Sequence, residues 1–174
     1  MVPDRITDTN VGAVFDVSIT ADSTTAEITR LTNAGRNAVR DGIINESVLS
    51  NFTLQASTST ARPNRSDASL DSVVDSTSAS VSLSGTTVTY SGSLTGGSIQ
   101  TIGVVDADTG NLLAQGRLAD PVSDPNVTVD ITVQNDDSTS KSVVTTTGHT
   151  LCAEILSGGN PAFPQRYDFG DRTA

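Results

Sequence analysis

The sequence predicts a mainly β protein, an antiparallel β-sandwich with one or two short helices. Three observations lead there. Apolar and polar residues alternate with period two along most of the chain, as strands with one wet face require. Ser, Thr and Gly clusters punctuate those runs throughout, which suits an antiparallel sandwich or barrel-like sheet. Helical spacing appears in only two short segments.

The elements follow in chain order. AVFDVSIT at 13–20 alternates and opens the set of strands. In RLTNAGRNAVRDGI the apolar side chains fall at Leu31, Ala34, Ala38, Val39 and Ile43, one face of a short helix. Thr32 or Asn33 can cap its start, and Gly42 lies near its end. FTLQAS at 52–57 is the next strand. In TTVTYSGSL, Val88, Tyr90 and Leu94 alternate, with Gly92 interrupting. SIQTIGVV at 98–105 and NLLAQGRL at 111–118 flank a turn. Further on, Val127, Val129, Ile131 and Val133 point one way while Thr128, Asp130 and Thr132 point the other. KSVVTT at 141–146 is the last strand expected. VTTTGHTLCAEILSGG then carries a second helical face, Leu151, Cys152, Ile155 and Leu156, capped by Thr145 or Thr147 and stopped by Gly158-Gly159.

These two helical segments repeat a pattern. Leu31-Thr32-x-x-Gly35 matches Val144-Thr145-x-x-Gly148. Counted from each glycine, offsets 3, 4, 7 and 8 hold Ala38, Val39, Gly42 and Ile43 in one copy and Leu151, Cys152, Ile155 and Leu156 in the other. A shared turn-then-helix unit accounts for this.

At 174 residues the chain is one domain's worth, long enough to bury a core without staples. Aromatics make up only 3% and Trp is absent, so Val, Ile, Leu and Ala must build that core. No apolar run approaches a membrane span, and the opening Met1-Val2-Pro3-Asp4-Arg5 lacks the parts of a secretory signal. Membrane is therefore not an expected partner. Acidic residues outnumber basic ones 20 to 10, for a formal charge of −10. That balance argues against nucleic acid, which needs a basic face. The acids are mostly Asp, scattered along the chain, and Lys141 is the lone lysine. Such charge keeps a folded surface soluble when salt screens everything else. The composition resembles that of proteins from salt-in halophilic archaea.

Chemistry is harder to find. Asp106-Ala107-Asp108-Thr109-Gly110 begins as a calcium loop can, but its glycine falls at position 5, Leu112 at 7 and Arg117 at 12, where an EF-hand needs glycine at 6 and an acid at 12. The same residues suit a hairpin, with Asp106 to Thr109 as a type I turn and Gly110 in the left-handed position. Asp106/Asp108 and Asp136/Asp137 are pairs that an Asp-rich wet face produces. Cys152, the single cysteine, cannot form an internal disulfide, and its apolar neighbours suit a buried small hydrophobe. His149 stands three residues before it, but no third residue is in view to orient a dyad. GxSxG, Walker, GxGxxG and CxxC patterns are absent, and Asp168-Phe169-Gly170 lacks the other kinase motifs. Sequons at Asn45, Asn51, Asn64 and Asn126 are frequent because Ser and Thr are. The expectation is no enzyme, with no catalytic, cofactor-binding or metal-ligating residue and no cofactor.

Five pieces carry a resemblance. Leu31-Thr32 to Gly35 comes first, then Ser66-Asp67-Ala68-Ser69-Leu70, then VTYSGSL at 88–94. IQTIGVVDADTGNLLAQGRL at 99–118 and VTVDITV at 127–133 complete the order. In that order they resemble a family of tailed-virus structural proteins found among tail-fibre, baseplate and other virion components. That family has a "Leu-Thr-x-x-Gly" turn and helix, a Ser/Thr/Ala/Pro stretch ending "Ser-Asp-x-x-Leu", and a signature "Ile-x-x-Ile-Gly-Leu-Phe-Asp-x-x-x-Gly-x-Leu-Leu-Ala". The glycine-rich step before the Ser/Pro stretch reads ASTSTARPN here, and 141–174 looks like a second opening motif with no body after it.

The resemblance implies a β-rich virion subunit that assembles through repeated copies. The expected organisation is an N-terminal arm and first strand at 1–27, a sandwich body at 28–140, and a turn-helix assembly segment at 141–174. The expected role is a tail, baseplate or fibre-attachment component of a virus of halophilic archaea, assembled in the host cytoplasm and located in the virion. Its partners would be itself, as a homo-oligomer, and other virion proteins, with host-receptor contact open. A capsid turret or decoration protein is the alternative, and a ligand-binding β-module the third reading. Truncation after Ser140 is expected to leave a folded, monomeric body.

Overall fold

A computed structural model describes residues 4–5, 13–45, 47–135 and 146–161. Its elements run β1 (Asp4–Arg5), β2 (Ala13–Ala21), β3 (Thr24–Leu31), α1 (Asn33–Asn45), β4 (Phe52–Ser57), β5 (Val73–Ser78) and β6 (Ser80–Ser84). They continue with β7 (Thr87–Ser93), β8 (Ile99–Asp106), β9 (Leu112–Val122), β10 (Asn126–Asn135) and α2 (Thr146–Ser157). All strand pairings among the described residues are antiparallel. The protein is a mainly β, antiparallel sandwich whose sheet is nearly closed, as the alternation predicts.

One layer is β5-β4-β8-β9-β3 and the other β2-β10-β7-β6, with β1 added to β2. They are joined on one side by the β2–β3 hairpin, through Thr20↔Thr25 and Ala21↔Thr24 alone. On the other side β5 and β6 form one ribbon bent at Ala79, whose N–H donates to the Phe52 carbonyl at 2.9 Å. The alternating residues fill the space between the layers. Val129 pairs with Tyr90 and Ile19, and Ile131 with Val88 and Val17, and all six are buried. Leu54, Ile102, Val104 and Leu118 meet them from the facing layer. Each fully buried Val, Leu or Ile contributes about 1.5–3 kcal/mol relative to exposure, so aliphatic side chains supply the core without tryptophan.

Both helices sit at one end of the sandwich, where β3 stops and β4 starts. Thr32 caps α1: its hydroxyl accepts from Gly35 N–H at 3.0 Å and donates to the Leu112 and Leu113 carbonyls of β9. α2 ends as expected at Gly158, which takes a left-handed φ of +70° while Gly159 N–H bonds the Glu154 carbonyl. α1 begins one residue after Thr32 and α2 one residue after Thr145, so both copies of the repeat enter their helices in the same register. The helices cross where a Cβ on Gly42 would stand 2.6 Å from Ile155 Cγ2. Gly42 and Ile155 occupy the same offset in the repeat, and bare backbone in one copy makes room for the side chain of the other.

Several expectations change. β3 and the β5–β6 ribbon are strands the alternation does not reveal. A bulge between Ala26 and Ile28 breaks the period in β3. The ribbon is Ser-rich and mostly exposed, so it has no apolar stripe to display. β2, the first strand expected, lies between β3 and β10, so the body takes in residues 13–27 as well. Thr146 opens α2 instead of closing a strand, and the rest of KSVVTT lies outside the described residues. Most consequential is α2 itself. Cys152, Ala153 and Leu156 belong to the central core cluster of their own chain, so over Thr146–Ser157 the expected assembly segment is a wall of the body. Residues 162–174 lie outside the described residues.

Candidate functional site

The hairpin between β8 and β9 holds the carboxylates that raised the question of an ion site. Four residues, Ala107 to Gly110, bridge Asp106 and Asn111, and Gly110 takes a φ of +75° with its N–H on the Asp106 carbonyl at 2.7 Å. Asp106 is buried and turned inward: one oxygen accepts from Asp108 N–H at 3.1 Å, the other from the Thr109 hydroxyl at 2.5 Å. Asp108 points away, accepting from Asn51 Nδ2 and the Ser50 hydroxyl, each at 2.7 Å. Those hydrogen bonds, Asn51 first and Ser50 second, hold its carboxyl below the usual range. The two carboxylates serve different donors and do not converge. Ser50 and Asn51, whose role the sequence did not signal, tie the hairpin to the start of β4.

The motif pieces meet on this hairpin. A Cβ on Gly35 would stand 2.4 Å from the Leu113 carbonyl oxygen, so α1 rests directly on the β9 backbone. The segment 58–72 covers the outer face of β8 and β9. Gln115 Nε2 donates to Asp67 at 2.6 Å and to the Asn64 carbonyl at 3.0 Å. Leu112 N–H donates to the Ala68 carbonyl at 3.1 Å. Leu70 forms a small buried cluster with Val105 and Leu112, directly over Gly103, where a Cβ would stand 3.1 Å from the leucine Cδ1 and 2.7 Å from that of Leu112. Leu31-Thr32-x-x-Gly35, Ser66-Asp67-x-x-Leu70 and the signature hairpin are thus one packed unit.

Cys152 and His149 lie on α2, both buried. Burial pushes the Cys152 thiol up to about 11 and holds His149 below its ordinary value. A thiol raised that far is not a nucleophile near neutrality. Among the described residues, His149 Nε2 is buried without a hydrogen-bond partner, so that nitrogen holds no thiol or hydroxyl. Among the sequons, Asn51 is committed to Asp108, and Asn64 Oδ1 accepts from the Ser66 N–H and hydroxyl at 3.1 Å each. Asn126 bonds the Ser93 hydroxyl at 2.8 Å, and Asn45 is exposed at the end of α1. Asp136/Asp137 and Asp168-Phe169-Gly170 lie outside the described residues.

The described residues line at least two surface clefts. One of about 390 Å³ lies between α1 and the hairpin, lined by Asn37, Asp41, Asp106, Thr109, Asn111 and Leu113. Another, about 270 Å³, lies under 59–71, with Arg62, Asp71, Thr101 and Gln115 in its wall. Among the described residues no group of three or more His, Cys, Asp or Glu side chains is placed to hold a metal ion. Nor is any described helix long and apolar enough to cross a membrane. What fold and site define together is an antiparallel β-sandwich whose motif residues hold the architecture. Comparison with family models, curated proteins and solved structures finds no match to this chain.

Proposed function

We propose that the chain is a structural virion protein of a tailed virus of halophilic archaea. In this reading it is a tail, baseplate or fibre-attachment component that assembles with copies of itself and with other virion proteins. The observation that carries the reading is the fate of the motif residues. Thr32, Gly35, Asp67, Leu70, Gly103 and Gly110 are spent on positioning one another around the signature hairpin. Residues used this way build a stable scaffold and leave recognition to the surface, as a virion subunit requires. The charge of −10, with Asp dominant and Lys141 the lone lysine, supports a surface made for molar salt.

The experiment is gold-labelled antibody against the recombinant protein, applied to particles from cultures carrying the gene. Label on tails supports the proposal. Label on heads replaces it with the decoration role. Particles that lack both the label and the protein by mass spectrometry refute a virion role.

A further inference from the structure

Among the described residues β6 is paired on one side only. Ser80 to Ser84 run against Ser91 to Thr87 of β7, and the opposite edge of β6 carries no backbone hydrogen bond among the described residues. Folded proteins guard such edges with lysine, proline, bulges or inward charges, because an open row of amides and carbonyls templates another strand. The β5 half of the ribbon has such a guard in Asp75, whose carboxylate accepts from Thr95 N–H at 2.6 Å and so ties that half to the loop after β7. The β6 half, Ser80-Val81-Ser82-Leu83-Ser84, has none. Leu83 is 37% exposed although its register with Val88 places it on the core-facing side of the layer.

Charge singles out the same place. From Ser76 to Val105 there is no Asp, Glu, Lys or Arg, in a chain carrying −10. Two copies repel one another through most of their surfaces. They approach at least electrostatic cost along the uncharged strip formed by β6 and β7.

We propose that the β6 edge is where two copies of this chain pair, antiparallel, about a two-fold axis near Ser82. That register sets Val81 opposite the partner's Leu83, and Ser80 opposite the partner's Ser84. The exposed leucine is then covered by an apolar neighbour, and no charge is buried. An isologous pair uses each edge once and closes, so the open strand does not propagate into a fibre. The inference goes beyond the virion reading and stands without it: it names a surface and a partner for this chain in any setting.

The test is the mass of the full chain, by light scattering and sedimentation, at the lowest salt that keeps its circular dichroism spectrum folded, with two variants. Ser82→Lys sets two ammonium groups against each other at the axis, on an exposed position. Its mass should fall by half relative to the unsubstituted dimer, with the circular dichroism spectrum unchanged. Ser82→Cys should give a disulfide-linked dimer on oxidation, while buried Cys152 stays silent; this decides the matter if the lysine variant misfolds. A monomer at every concentration overturns the proposal, including one whose β6 amides are protected from hydrogen exchange by the chain's own segments. An oligomer that Ser82→Lys leaves intact and Ser82→Cys does not cross-link overturns it too.

Discussion

Tyr90 fastens α2 to the sandwich, and removing its hydroxyl is the sharpest test of that closure. The ring is fully buried and meets Phe52 edge-on, with centroids 5.1 Å apart and planes at 62°. Its hydroxyl donates to the Leu156 carbonyl at 2.5 Å. That carbonyl lies in the last turn of α2, where no helical amide follows to satisfy it. Tyr90→Phe keeps the ring and its packing but leaves a buried acceptor without this donor. An acceptor so orphaned costs about 1–3 kcal/mol. In a chain of this size each kcal/mol lowers Tm by about 2–4 °C. The loss should concentrate in α2, read as faster hydrogen exchange across Thr146–Ser157 than in β8 or β10. The pH dependence has a definite sign as well. Burial raises the Tyr90 pKa above its ordinary 10.0, so the folded state holds the proton more tightly than the unfolded chain. Its contribution is complete below pH 10 and is lost as pH rises beyond. Tyr90→Phe should remove that part of the alkaline instability. An unchanged Tm with unchanged exchange in α2 would refute the reasoning.

The motif makes further demands. Gly35→Ala should destabilise by about 1–3 kcal/mol in denaturant titration, because its Cβ would meet the Leu113 carbonyl rather than a side chain that can move. Gly110→Ala meets no atom and should cost about 1–2 kcal/mol, from its φ of +75° alone. Leu70→Ala should cost about 2–3 kcal/mol and make 58–72 the first site of limited proteolysis, since that side chain holds the segment over Gly103. Truncation after Ser140 removes Cys152, Ala153, Ile155 and Leu156 from the interior, a loss comparable to the whole margin of about 5–15 kcal/mol for a domain. The truncated chain should be unfolded by circular dichroism, where the sequence alone led to a folded monomer. For His149, burial lowers the folded pKa below 6.5, so the unfolded chain takes the proton first as pH falls. Stability should therefore be complete above pH 6.5 and decline below it, and His149→Leu should flatten that decline in melting curves.

Much of this was legible from local pattern. The alternation of Val127, Val129, Ile131 and Val133 sets a buried face because successive side chains of a strand leave on opposite sides. Gly110 and Gly158 mark a turn and a helix end because both need a left-handed backbone. Thr32 announces a helix start because its hydroxyl can satisfy an orphan amide. The same local information misled where burial depends on distant partners. β5 and β6 give no strand signal because a ribbon at the sheet's margin needs no apolar stripe, and β3 gives none because a bulge shifts its phase.

The sequence by itself determined the class of the protein: the strands with an alternating apolar face, the turns with obligate glycines, two helices in matched register, and an acidic surface. Those are properties of a residue and its near neighbours. Only the tertiary structure decided that α2 closes its own core, that Gly42 makes way for Ile155, that Leu70 sits over Gly103, and that among the described residues β6 pairs with β7 alone. Each joins residues far apart in the chain, and no local pattern encodes which buried surface a helix or an edge will find.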